Sequence, residues 1–241
     1  MTHFQEFQRI EGNVRTVRIL ILGDPGVGKT SLTNLLANSA ITPTRSSRTV
    51  ANSEWTVQAR LHKYPIMEQH LPLTPEWTSP SSSERSIQWK LQREPPHVSE
   101  VIYFVEFYDK NSSISKSRVD KNPLYKNIDG MVLVYNMEDM QSQDHLHDWM
   151  YGPLLEISQR RHSNHKRLLN RQHVPILVVG TMLDRLHKRP LRRYGTIAHQ
   201  LGAEEMLLNC LDPHSLDEKT RNHGKVCNFL NRAVDFKMFV P

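Results

Sequence analysis

Gly23, Gly28, Lys29 and Thr30 follow the spacing Gly-x-x-x-x-Gly-Lys-Thr, inside the stretch ILILGDPGVGKTS over residues 19–31. Each residue type has chemical work to do in that pattern. Glycines let the backbone curl until successive N–H groups face one anion. The lysine ammonium can reach the β- and γ-phosphates of a nucleotide, and the threonine hydroxyl can sit on Mg²⁺. A helix N-terminus directly behind them adds partial positive charge. Asp24, Pro25, Gly26, Val27, Gly28, Lys29, Thr30 and Ser31 are therefore the candidate phosphate-binding residues. A glycine-rich turn without a ligand would satisfy the same letters. The apolar strand before it and the amphipathic helix after it supply the context that a phosphate loop needs.

A second group of residues could read a base. The apolar run VPILVVG (174–180) ends in Thr181, Met182, Leu183 and Asp184. A carboxylate there can accept from both N1–H and the exocyclic amine of guanine, a donor pair that adenine lacks. The bland alternative is that Asp184 only caps the following segment. A further loop, Asn209, Cys210 and Leu211, follows EMLLN, and its backbone N–H groups could meet the guanine oxygen.

These residues need a scaffold. VRTVRILIL (14–22), EWTVQARLHKY (54–64), VIYFVEFYD (101–109), GMVLVYN (130–136), VPILVVG and EMLLN read as strands. Trp55, Val57, Ala59 and Leu61 alternate inward, so the second reads as a half-exposed strand. The runs at 130–136 and 174–180 are apolar on both faces, as central parallel strands are. KTSLTNLLANSA reads as a helix with Leu32, Leu35 and Leu36 on one face. SQDHLHDWMYGPLLEIS reads as a helix kinked at Pro153, and the stretch from His214 to Phe236 as a last helix. Strands alternating with helices predict a doubly wound α/β domain.

Three segments fall outside that pattern. Residues 1–12 read as a tail, ahead of a domain over 13–238. Residues 65–100, rich in Pro, Ser and Glu, read as a disordered insertion between two adjacent strands. Residues 158–173 read as a basic insertion, its Arg160, Arg161, Lys166, Arg167 and Arg171 a solvated loop.

Composition narrows the function classes. Among 241 residues, Lys plus Arg number 31 and Asp plus Glu 25, a net charge of +6 that permits but does not demand an acidic partner. The basic run lacks interleaved aromatics, which argues against nucleic acid. Only Cys210 and Cys227 occur, so a disulfide framework is excluded and a reducing, cytoplasmic setting is expected. The thirteen histidines are dispersed without metal-ligand spacing. No apolar run approaches the roughly 20 residues that span a bilayer.

ILILGDPGVGKTSLTNLLA, YFVEFYD, IDGMVLVYNMEDMQS, VPILVVGTMLDRLHKR and EEMLLNCLDPHSL together resemble the Rab branch of the Ras-like small GTPases. The resemblance implies a P-loop NTPase fold with a six-stranded, mostly parallel sheet and helices on both faces. It also implies GTP or GDP with Mg²⁺ as ligands, effector or regulator proteins as partners, and a homodimer. By the same resemblance Asp109 is the water-mediated Mg²⁺ partner. Thr49 is taken as the switch threonine over Thr56, which lies inside a strand.

Departures from the family pattern bear on activity. Ser112 stands where the family's γ-phosphate-sensing glycine lies, and Ser113 where its water-positioning glutamine lies. Thr181 and Met182 replace the Asn and Lys of the guanine loop; Thr181 keeps a hydroxyl, and Met182 can still lie its stem on the base. The terminus DFKMFVP has no cysteine, so neither a prenyl group nor a stable membrane anchor is expected. No residue is assigned a catalytic role. The expectation is a guanine-nucleotide-binding regulator with slow hydrolysis. The alternatives are a scaffold without switching, or a P-loop ATPase or kinase, whose only lid candidate is the basic 158–173 segment.

Overall fold

Apolar residues on both faces of TVRILIL leave it no place but the middle of a sheet. In the computed structural model it is β1 (Thr16–Leu22), paired in parallel with a strand on either side. The structure describes residues 15–38, 47–49, 55–67, 98–110, 123–162, 173–186 and 195–239.

The elements alternate as the sequence predicts. After β1 come α1 (Lys29–Ala37), β2 (Ser47–Thr49), β3 (Trp55–Met67) and β4 (Val98–Lys110). There follow β5 (Gly130–Asn136), α2 (Gln141–Asp144), α3 (Leu146–His162) and β6 (Ile176–Thr181). The chain closes with α4 (Ile197–Leu201), β7 (Glu204–Leu207) and α5 (Arg221–Phe239). The sheet order is β2-β3-β4-β1-β5-β6-β7. Neighbours from β4 to β7 are parallel, and β2 and β3 add an antiparallel edge. Six strands stand where the sequence places them. Among the described residues the three-residue β2 is a seventh, too short to show a period in the sequence.

Alternation along β1 divides the core. Val17, Ile19 and Ile21 pack with Leu32 and Leu36 of α1 and with Phe229, Leu230 and Val234 of α5. Leu20 and Leu22 belong to a second cluster with Leu146 and Met150 of α3 and Ile197 of α4. Buried Asp129 ties α5 to the sheet, accepting from Arg18 N at 2.9 Å and Lys237 Nζ at 3.2 Å.

Several expectations are corrected. The strand expected to be half exposed is buried on both faces over Val57–His62. Its polar alternates are covered and bonded: Gln58 to Asn34, Arg60 Nη1 to Leu36 O at 3.2 Å, and His62 Nε2 to Asn231 Oδ1 at 2.8 Å. A polar residue under a helix alternates like one facing water, so the pattern alone misleads. The helix expected over 142–158 is two helices, and the break falls at His145; Pro153 lies inside α3. The last helix is preceded by a 3₁₀ turn at Pro213–Leu216, capped by Asp212 Oδ1 on His214 N at 2.9 Å.

The insertions begin later than expected. Pro65–Met67 pairs with Val98–Glu100, and Pro65 is tolerated because β3 is an edge beyond the reach of β2. Arg160 and Arg161 lie on α3 rather than in a loop. Residues 1–14, 68–97 and 163–172, where the tail and most of both insertions fall, are outside the described residues. No helix among the described residues is long and apolar enough to cross a membrane.

Candidate functional site

Every described candidate residue but Thr49 and Thr56 lies at or just beyond the carboxyl end of a parallel strand. The phosphate loop leaves β1, Asp109 ends β4, Thr181 ends β6, and Asn209 follows β7. The strand order runs outward in both directions from β1, and the crevice at such a reversal is where open α/β sheets take ligands.

The phosphate loop is shaped by its backbone. Gly23 has φ +152, and a Cβ there would stand 2.1 Å from Val134 O, so no side chain fits. Gly28 has φ +86 and starts α1, its carbonyl accepting from Leu32 N at 2.9 Å. Lys29 is buried, and its Nζ donates to Gly23 O at 3.0 Å and Asp24 O at 2.8 Å. Burial lowers its pKa, against the pull of Asp109 and Asp24. The ammonium thus curls over its own loop, in reach of the space the loop encloses.

Thr30 and Asp109 meet as a metal pair would. Thr30 Oγ1 donates to Asp109 Oδ2 at 2.7 Å, across 79 residues of chain. Asp109 is 1% exposed, and its Oδ1 has no hydrogen-bond partner among the described residues. Burial raises its pKa, opposed by the Thr30 hydroxyl and the Lys29 charge. A buried carboxylate oxygen without a donor beside a threonine hydroxyl is a donor set that a hard cation satisfies, through oxygen or through water. These residues fit Mg²⁺. Thr49 stands opposite Thr56 in the sheet register, and Thr56 opposite Asp109, so both threonines share the metal candidate's row. Ser112 and Ser113 lie outside the described residues.

The base loop is fastened to the phosphate loop. Thr181 is 1% exposed, and its Oγ1 lies 2.6 Å from Val27 O and 3.0 Å from Tyr135 O. One hydroxyl proton serves the two carbonyls, with the shorter contact to Val27. Met182 follows with φ 58 and ψ 35; among the described residues no other non-glycine has positive φ. That conformation costs roughly 1–2 kcal/mol for a residue with a Cβ, and such strain collects at binding sites. It turns the chain into the 3₁₀ turn Leu183–Arg185, which leaves Asp184 exposed. Leu183 N donates to Leu208 O at 3.2 Å, bringing the 209–211 loop alongside. Cys210 sits behind, its thiol pushed up to about 11 by burial and by the charge of Asp184. Asn209 Oδ1 accepts from Leu211 N at 2.9 Å, and Leu211 is 74% exposed.

The sequence reading missed one part of this site. Asp24 Oδ2 lies 2.6 Å from His145 Nδ1, and Asp24 Oδ1 accepts from Trp149 Nε1 at 2.8 Å. The start of α3 therefore grips the second residue of the phosphate loop and holds its carboxylate aside. Trp149 packs on the second cluster. His145 stands at the break just before α3 and Trp149 in its first turn, so the pair meets Asp24 only through the fold. Trp55 and Tyr125 are both buried, packed edge to face at 6.4 Å.

No protein-family model matches the chain. It is 25% identical over 242 residues to Rab-like protein 3 of Bos taurus, covering 93% of this chain and 86% of that protein. Rab-like protein 3 of Homo sapiens is 24% identical, with the same coverage of 93% and 86%. The likeness is to Rab-like protein 3 and, over part of the chain, to a small GTPase. A match of 93% of the chain takes in the whole span from Gly23 to Leu211, so the phosphate loop, Asp109 and the base loop fall inside it together. The chain is also similar to small GTPase LIP1 of Arabidopsis thaliana, 27% identical over 133 residues, which cover 55% of this chain and 31% of that protein.

Proposed function

We propose that this chain is a guanine-nucleotide-binding regulatory protein that holds GTP or GDP with Mg²⁺. The observation that carries the reading is Thr181, whose buried hydroxyl fastens an Asp184-bearing loop to the back of the phosphate loop. In the proposed complex the N–H groups of Asp24 and residues 26–31 and the Lys29 ammonium take the phosphates. Thr30 and Thr49 would hold the metal, with Asp109 acting on it through water. Asp184 accepts the two guanine donors, Met182 lies along the base, and N–H groups at 209–211 meet the guanine oxygen. Mg²⁺ supplies charge neutralisation between the phosphates. Displacement of a fluorescent GDP analogue by GDP, GTP and ATP tests this. GDP and GTP compete at similar concentrations, and ATP competing as well as they do would refute it.

Hydrolysis is proposed to be slow. An in-line water must be oriented at the γ-phosphate, and Ser113 is too short to reach it. Ser112 keeps an N–H but restricts the backbone that a glycine would free. Single-turnover hydrolysis of pre-loaded GTP is expected below the intrinsic small-GTPase rate of roughly 10⁻⁴ s⁻¹. A rate at or above it contradicts the proposal. State is then set by exchange, and effector or regulator proteins read it. A homodimer is expected from the Rab-like kinship alone, because Trp55 and Tyr125 are buried within one chain. Sedimentation at micromolar concentration giving only a 28.1 kDa species would exclude it.

A further inference from the structure

Away from the nucleotide site, a cavity of about 970 Å³ opens between the end of α1, β3, the 213–220 loop and α5. Its size is that of a small-molecule site. Arg60 lines it and is only 7% exposed. Two of its N–H groups are used, Nη1 on Leu36 O at 3.2 Å and Nε on Leu61 O at 3.3 Å. No carboxylate among the described residues pairs with it, and burial lowers its pKa.

Several of the other charges around the cavity are matched, while Glu218 and Lys219 add one charge of each sign to its lining. Lys63 pairs with Glu100 at 2.8 Å, and Asp217 with His214 at 2.9 Å. His62 is buried and bonded to Asn231, and its pKa is lowered, first by burial. Cys227 lies close enough to act on the Arg60 charge, but burial raises its thiol pKa, so it brings no countercharge. Capping α1 accounts for one Arg60 N–H, and a cap requires no cavity. A guanidinium withdrawn from water without a countercharge is costly, and an anion entering beside it removes that cost. Leu35, Leu216 and Val226 form an apolar wall next to it.

We propose that this cavity is a second ligand site, taking a small organic anion whose carboxylate pairs with Arg60 and whose apolar body lies on the Leu35–Leu216–Val226 wall. The site is separate from the phosphate loop and does not depend on nucleotide identity.

Titration calorimetry of the full chain with decanoate, decanol and inorganic phosphate tests it, each with and without excess GDP. Decanoate is expected to bind saturably whether or not GDP is present. Decanol, with the body but no charge, and phosphate, with charge but no body, should each bind at least about tenfold more weakly. Arg60→Met keeps the side-chain volume and should weaken decanoate by at least about tenfold, with a cooperative thermal melt retained. Val226→Trp fills the cavity while leaving Arg60 in place, and should abolish binding. Absence of decanoate binding would overturn the proposal. So would equal binding of decanol or phosphate, displacement by GDP, or wild-type affinity in Val226→Trp or in a folded Arg60→Met.

Discussion

The phosphate end and the base end of the candidate site are built differently. At the phosphate end Lys29 and Asp109 are buried, Lys29 bonded to its own loop and Asp109 bonded to the exposed Thr30 across the chain. At the base end the reading groups are exposed on turns, and one buried hydroxyl, Thr181, fastens them to the rest. On the proposed reading the first arrangement decides whether a triphosphate is held, and the second, with Thr181 and Met182 in place of Asn and Lys, decides which base.

Removing the phosphate end's charge should break binding outright. Lys29→Ala is expected to cost guanine nucleotide at least about 100-fold in affinity, the loss of two or more hydrogen bonds to charged groups. Equilibrium binding of a fluorescent GDP analogue measures it. A loss under tenfold would mean that the two ends do not divide the work as described.

The next test sharpens the picture of the base end. Cys210 sits behind Asp184 with its thiol pushed up to about 11. At pH 8 its thiolate fraction is then about 100-fold below that of an ordinary thiol, and alkylation should be slower in proportion. Peptide mapping after iodoacetamide treatment separates it from Cys227. Reaction at the rate of a free thiol would show that the 209–211 loop does not pack against the Asp184 turn.

The smallest expected effect lies at the joint between the ends. Thr181→Ala leaves Val27 O and Tyr135 O without their shared donor, which should cost about 1–3 kcal/mol in urea unfolding. Thr181→Ser keeps the hydroxyl and should recover most of it. Equal loss in both variants would assign the effect to packing of the methyl group instead.

Much of this was legible in the sequence because its signals are local. Gly23 to Thr30 form one contiguous motif, and the strands at 130–136 and 174–180 are apolar throughout, so period and motif agree. What stayed hidden depends on contacts distant in sequence. Gln58, Arg60 and His62 alternate like solvent-facing residues, and only α1 and α5, folded over them, make them interior. The grip of His145 and Trp149 on Asp24 spans more than 120 residues. The break at His145 had no proline or glycine to announce it, while Pro153, which did announce one, sits inside α3.

Competition between GDP and ADP for the wild-type chain and for Asp184→Asn tests the account most directly. The wild type is expected to prefer GDP by at least about 100-fold, since a base-reading site leaves its carboxylate unmatched by adenine. Asp184→Asn should lose most of that preference, gain affinity for xanthosine diphosphate, and keep its hold on the phosphates through Lys29. A wild-type chain that binds ADP as tightly as GDP, or an Asp184→Asn variant with undiminished preference for GDP, would contradict it.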